Sequence, residues 1–197
     1  MSILITGGGG QLGSEFAELL AASGASFSAL NRAQLDVTDE AALQTALQDG
    51  REPVHAVIHT AAYTKVDAAE TERELAYAIN ATATRLLARL CAERQIPLVY
   101  ISTDFIFSGS SKAPYEVDDA PDPLNVYGAS KLAGEQAIQE VCDRFYIVRT
   151  SWVFGSHGHN FPRAMLKAAA NGQPLRVVND QVGSPTYARD LAEAILR

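Results

Sequence analysis

The chain has 197 residues, 47% apolar and 20% charged, an ordinary composition for one globular core with at most a small appended region. A net charge of −7 and a pI near 5.1 leave no basic stripe to neutralise a phosphate backbone, which argues against nucleic acid as the main partner. No run of about 18 apolar residues occurs, and the chain enters a strand without a basic leader or cleavage site, so a cytoplasmic protein with no membrane partner is expected.

The first element is Ile3-Leu4-Ile5, an apolar strand that meets Thr6 and then Gly7, Gly10 and Gly13, with helical periodicity following from Glu15 to Leu20. Gly7 allows a tight exit from the strand, Gly10 lets backbone approach a pyrophosphate, and Gly13 brings the helix down onto the sheet. The helix N-terminus then offers N–H groups and partial positive charge to phosphates. Alone, GxxGxxG also fits a flexible connection. Placed between a first strand and a first helix, it points to nucleotide binding.

Ser26–Leu30 reads as the second strand and ends in Asn31-Arg32, where a dinucleotide-binding unit selects its cofactor. An acidic residue there would accept from the ribose 2′-hydroxyl, whereas Arg32 suits a 2′-phosphate and tilts the expectation from NADH toward NADPH. Leu35-Asp36-Val37 reads as a short strand edge, with Thr38 or Asp39 capping a helix over Ala41–Leu47. Val54–Thr60 is the next strand and runs into the small residues Ala61 and Ala62, then Tyr63 and Thr64. His55 and His59 within it read as packing or edge residues, since no further ligand stands at metal spacing.

One long helix is expected from about Asp67 to Arg94, then a strand from Leu98 to Ile101 closing on Ser102-Thr103-Asp104. Residues 108–125 carry Pro114, Pro121 and Pro123 and read as a loop over the sheet end. Val126 opens another helix, Phe145–Arg149 is a sixth strand, Phe161–Ala170 a helix, Leu175–Val178 a strand and Tyr187–Arg197 a final helix. Strands alternating with helices imply right-handed βαβ units and a parallel sheet, an α/β fold of the doubly wound Rossmann type with helices on both faces. Cys91 and Cys142 read as free buried thiols. His157 and His159 read as a solvated loop, and no metal is expected.

Tyr127 and Lys131 stand four apart on one helix and so share a face. A nearby ammonium favours the ionised phenol, which would bring the Tyr127 pKa down toward the working range. Thr103, at the carboxyl end of the preceding strand, has a hydroxyl able to polarise a carbonyl together with that phenol.

With these residues the sequence resembles the extended short-chain dehydrogenase/reductase superfamily. AAYTKVDAAE (61–70), STDFIFSG (102–109), YGASKLAGE (127–135), RTSWVFG (149–155) and DQVGSPTYARDLA (180–192) are similar to motifs of the dTDP-4-dehydrorhamnose reductase family, in the family's order. The resemblance implies NAD(P)H-dependent reduction of the 4-keto group of a dTDP-linked 6-deoxyhexulose, yielding dTDP-L-rhamnose. It implies that Tyr127 donates the proton, Lys131 holds the nicotinamide ribose and Thr103 orients the oxygen. Gly7, Gly10, Gln11 and Leu12 would then contact the pyrophosphate. Asn31, Arg32, Asp36 and Val37 would lie by the adenosine half, and Ala61, Ala62 and Thr64 along the rest. Val66, Thr103, Phe105 and Trp152 would approach the sugar.

Phe105 stands where the family usually has Tyr. Family members also continue for about another hundred residues, a second-domain scale. The resemblance therefore implies an NAD(P)-binding domain at 1–150 and an incomplete substrate-binding region at 151–197, with homodimers known among members. Two other readings remain: an epimerase or dehydratase of the same superfamily, and a non-catalytic binder like the regulatory subunit of methionine adenosyltransferase.

Overall fold

The computed structural model describes residues 2–48 and 52–197. Its main sheet has five parallel strands, β1 (Ser2–Thr6), β2 (Ser26–Leu30), β3 (Val54–His59), β4 (Leu98–Thr103) and β5 (Phe145–Thr150). The order is β2-β1-β3-β4-β5, so the winding reverses between β1 and β3. In open parallel sheets the ligand crevice opens at the carboxyl ends of the strands where the winding reverses.

The strand period of two separates the side chains into two cores. Leu4, Val57, Leu98 and Tyr100 face helices α2 (Glu40–Gln48), α5 (Ala83–Glu93) and α6 (Val126–Val141), and meet Leu43, Leu87, Leu90 and Ile138. Ile5 and Ile58 face the other way onto Leu12, Phe16 and Leu20 of α1 (Gln11–Ser23) and onto Ala188 and Ala192 of α8 (Ala188–Ile195). Each such fully buried Leu or Ile contributes about 1.5–3 kcal/mol, which makes these two layers the main stabilising term. Because α8 packs on α1, the sheet layer does not stop at residue 150. Cys91 and Cys142 are free and buried, as expected.

Three expectations are corrected. Leu35–Val37 is turn and not strand: Asn31 Oδ1 accepts from the Ala33 and Gln34 amides, Asp36 Oδ1 from the Thr38 amide, and these Asx turns leave no extended run to pair. Leu35 and Val37 are buried nonetheless, so apolar patterning marked the core and not the strand; Phe145–Thr150 is thus the fifth strand. The long helix over 67–94 is broken into α3 (Val66–Ala69), α4 (Arg73–Tyr77), a π-helical turn at Ala78–Thr82, and α5. Leu175–Val178 forms no strand and is exposed. Instead β6 (Val153–Phe154) pairs in parallel with β7 (Thr186–Tyr187) in a small second sheet, and α7 (Phe161–Ala170) between them has no buried residue.

The glycine turn is held by close packing. Gly7 has φ +72°, and a Cβ there would stand 2.6 Å from the Ala61 nitrogen. A Cβ on Gly13 would stand 2.4 Å from the Gly7 carbonyl oxygen, so the start of α1 is pressed directly against the turn. Overpacking at such a contact costs about 1–3 kcal/mol. Gly13→Ala is therefore expected to lower the melting temperature by about 3–10 °C; an unchanged calorimetric midpoint would show that α1 can stand off the turn at no cost.

Candidate active site

Residues of the glycine turn line the carboxyl end of β1. The Gly8 amide donates to Leu30 O (2.9 Å) and the Gly10 amide to Gly7 O (2.9 Å), which fixes the loop's path between β1 and β2. Sequence reasoning passed over Gly8, where a Cβ would stand 2.6 Å from the Ala29 backbone. Gly10 caps α1 with no side-chain acceptor and no acidic residue follows in the first turn, so the helix N-terminus keeps its amides and partial positive charge for an anion. The turn thus presents backbone amides at an uncapped helix N-terminus, the chemistry that suits a pyrophosphate.

Two residues proposed for that contact turn their side chains elsewhere. Leu12 is buried in the α1–α8 core, and Gln11 accepts from Asn160 Nδ2 (3.0 Å) while reaching Val153 O (3.4 Å). Only their backbone is left for a phosphate. Asn31 is consumed by its Asx turn, Arg32 is exposed at the end of β2, and Asp36 is exposed with its carboxyl held below the usual range by the Thr38 hydroxyl and amide. Val37 is 7% exposed and belongs to the core, so its side chain does not face a ligand. Ala61 lies against Gly7, Ala62 is half-buried, and Thr64 is exposed beyond them.

The second half of the site hangs on α6. Asn125 caps it by accepting from the Gly128 amide (2.7 Å), and Glu70 accepts from the Val126 amide (2.8 Å). A Cβ on Gly128 would stand 2.1 Å from Phe105 O, so this first turn sits directly on the single 3₁₀ turn Asp104–Ile106 that ends β4. Tyr127 and Thr103 are thereby brought together, and the Phe105 ring meets Tyr127 edge-on at 5.6 Å. Thr103 is 5% exposed; its hydroxyl donates to Asp104 (3.1 Å) and accepts from the Phe105 amide (3.2 Å).

The expected lowering of the Tyr127 pKa is corrected. Burial pushes the phenol up, the Thr103 hydroxyl beside it pulls back down, and Asp104 raises it further. Lys131 makes no contribution because it points inward: 2% exposed, it donates to Ile101 O (2.7 Å) and lies 3.9 Å from the Tyr100 ring centre. Burial brings that ammonium down to about 7, against an upward pull from Glu135. The site thus holds a protonated phenol beside a hydroxyl, with an amine about half protonated at neutral pH one turn deeper.

Asn80 was missed by sequence reasoning. It is 1% exposed in the π-helical turn; its amide nitrogen donates to Tyr63 O (3.0 Å) and Ser130 Oγ (2.9 Å), and its Oδ1 accepts from the Tyr63 amide (2.8 Å). Its carbonyl accepts from the Tyr100 hydroxyl (3.2 Å). A polar residue on an otherwise apolar helix face was the available signal, and π turns often mark functional sites.

Val66 is half-buried at the first position of α3. Trp152 follows β5 with φ +47°, a left-handed backbone that costs a non-glycine residue about 1 kcal/mol or more. Its indole is 46% exposed and backed by Gly183, where a Cβ would stand 2.7 Å away. His159 is exposed, but the solvated-loop reading of His157 is corrected. Its Nε2 lies 2.8 Å from Glu18 and 4.0 Å from Glu15, out of line for a hydrogen bond. Among the described residues these three are the one group at metal-ligand spacing, and Ser156 and Arg189 also approach its carboxylates.

Comparison with known proteins accords with this arrangement. A dTDP-4-dehydrorhamnose reductase of Mycolicibacterium smegmatis is 45% identical over 99% of the chain, which spans 59% of that relative. One from Streptomyces griseus is 44% identical over 98%, with 63% of its length spanned. The chain therefore covers about three-fifths of these curated relatives. The crystal structure of a dTDP-4-dehydrorhamnose reductase from Bacillus anthracis in complex with NADP superposes with a TM-score of 0.94 at 43% identity, covering 99% of this chain and 69% of that one. A Thermus thermophilus UDP-glucose 4-epimerase shares the fold alone, at 23% identity and a TM-score of 0.82. The sequence model of one family matches residues 1–197, the whole length that carries the glycine turn, Thr103, Tyr127 and Lys131, and the chain belongs to that family, the RmlD substrate binding domain.

Proposed function

We propose that this chain carries the cofactor-binding and proton-donating part of an NADPH-dependent reductase that converts the 4-keto group of dTDP-4-dehydro-6-deoxy-L-mannose into dTDP-L-rhamnose, in the cytoplasm. The observation that carries it is the pairing of a half-buried Tyr127, its phenol kept protonated, with Thr103 at the end of β4, at the same sheet edge as a glycine turn that opens an uncapped helix N-terminus. The names of the relatives and the NADP in the Bacillus anthracis enzyme supply the substrate and cofactor class.

NADPH, when bound, supplies the hydride. The backbone of Gly7 to Leu12 would hold its pyrophosphate, and the exposed Arg32 its 2′-phosphate. Ala61 and Ala62 would let its middle portion lie close to the sheet. Lys131 would hold the nicotinamide ribose once its amine turns from the Ile101 carbonyl. Tyr127 gives its phenolic proton to the 4-keto oxygen, and the Thr103 hydroxyl, turning its one O–H from Asp104, orients that oxygen. Val66, Phe105 and the flat indole of Trp152 form apolar surface for a deoxysugar. On this reading residues 1–150 with α8 bind the cofactor, and residues 151–187 begin the substrate-binding region.

The test is oxidation of NADPH, and separately NADH, with the dTDP-linked keto sugar generated in place. Sugar-dependent oxidation is expected, faster with NADPH, and Arg32→Ala should narrow that preference by about tenfold, the worth of one phosphate contact. NADPH binding without turnover would sink the catalytic reading.

A further inference from the structure

Arg149 on β5 lies in register opposite Ser102, the residue before Thr103. Its Nε and Nη2 donate to both oxygens of Glu135 (3.2 and 2.8 Å), while Nη1 donates to Val117 O (3.1 Å). The guanidinium carbon also stands 5.3 Å from the Phe107 ring centre, and Phe107 stacks on Tyr115 at 4.3 Å with the rings 6° from parallel. Glu135 is 1% exposed, one turn beyond Lys131 on α6, and it also takes the Ser102 hydroxyl. One cation thus joins the end of β4, the helix carrying Tyr127 and Lys131, and the segment 107–117 that leaves the site's rim.

The arrangement exceeds what stability alone asks of an ion pair. A buried carboxylate needs a partner, and the fork on Glu135 meets that need. The third bond, to a loop carbonyl, and the stacking on Phe107 add nothing to Glu135; what they fix is the loop. Lysine could neutralise Glu135, but it lacks the planar fork and the second arm that reaches Val117.

We propose that Arg149 is a positioning residue that holds the 107–117 loop against the Thr103–Tyr127 edge, registering it on α6 through Glu135. The proposal deepens the reductase reading and rests on it for its kinetic consequence. Its structural consequence stands by itself: in the full chain, amide hydrogen exchange of residues 107–119 speeds up in Arg149→Lys.

The experiment measures that exchange beside kcat and KM for the keto sugar and the dissociation constant of NADPH. In Arg149→Lys, exchange over 107–119 should accelerate about tenfold and the sugar KM rise about tenfold, while NADPH binding stays within a factor of about two, since the glycine turn is untouched. Should Arg149→Met prove too unstable, Arg149→Met with Glu135→Gln removes the unpaired charge; it should recover thermal stability without recovering loop protection or KM. Unchanged exchange in Arg149→Lys, or loop protection and KM restored together with stability in the double variant, overturns the proposal. If the parent itself does not turn over the sugar, the reductase reading falls and the exchange comparison still decides the role of Arg149.

Discussion

Tyr127→Phe is expected to cut kcat for the keto sugar by about 10²–10⁴-fold while leaving NADPH affinity and thermal stability close to those of the parent. The phenol oxygen is the only atom removed, and the ring that remains keeps its packing against the small cluster of Tyr63, Ala69, Ala76 and Val126. The magnitude is that of one well-placed general acid, about 3–5 kcal/mol of barrier. Burial strengthens the case: a proton donor must be protonated before the step, and the raised pKa keeps the phenol neutral across the physiological range. A loss shared equally by kcat and kcat/KM would mark an interaction made only in the transition state. If the variant retained more than about a tenth of parental kcat, proton delivery would have to come from elsewhere, and the neighbouring Thr103 hydroxyl would need testing first.

The raised pKa also shows where sequence reasoning stops. Spacing correctly put Tyr127 and Lys131 on one helix, and the strand-end position correctly put Thr103 beside the phenol. Spacing says nothing about which way a flexible four-carbon chain turns, and Lys131 turns inward to the Ile101 carbonyl and the Tyr100 face. Alternating strands and helices were legible because burial enforces their periods. Leu35–Val37 shows the limit of that signal: two apolar residues bury equally well from a turn, and only the Asx bonds from Asn31 and Asp36 distinguish the cases. Likewise 67–94 is helical in pattern almost throughout, yet the contacts made in its π-helical turn at Asn80 come from Tyr63, Tyr100 and Ser130, all distant in sequence. The Arg149–Glu135 fork was invisible for the same reason. A charged residue at a strand end reads as solvated until the fold shows that its partner is buried.

Acid should destabilise this protein chiefly through His59. The ring is 1% exposed between Thr6 Oγ1 (2.6 Å from Nδ1) and Thr84 Oγ1 (3.2 Å from Nε2), and it stacks on Tyr100 at 5.7 Å. With one nitrogen donating and the other accepting, the neutral ring satisfies both hydroxyls, whereas imidazolium has no acceptor role left. Burial first, then the charge on Lys131, brings its pKa down from 6.5 to about 3. In the unfolded chain the ring takes a proton near pH 6.5, while the folded ring refuses it until about pH 3. Between those values the unfolded state binds more protons, so stability falls as pH falls; the contribution is complete above pH 6.5 and gone below about 3. At about 1.4 kcal/mol per pH unit the gap is worth roughly 4–5 kcal/mol, a large share of a typical folding free energy. Denaturant unfolding at pH 7, 5 and 4 should show the parent losing several kcal/mol more than His59→Gln, which keeps a donor and an acceptor but does not titrate. Parallel pH curves for the two proteins would mean that the folded ring accepts a proton, and the buried, neutral state assigned to it would be wrong. The position gives the result a consequence for function. Thr6 immediately precedes Gly7, and Tyr100 lies under Lys131, so protonating this one ring would loosen the glycine turn and Lys131 together. Activity should therefore fail in acid along with the fold, and NADPH, binding only the folded state, should shift the midpoint to lower pH.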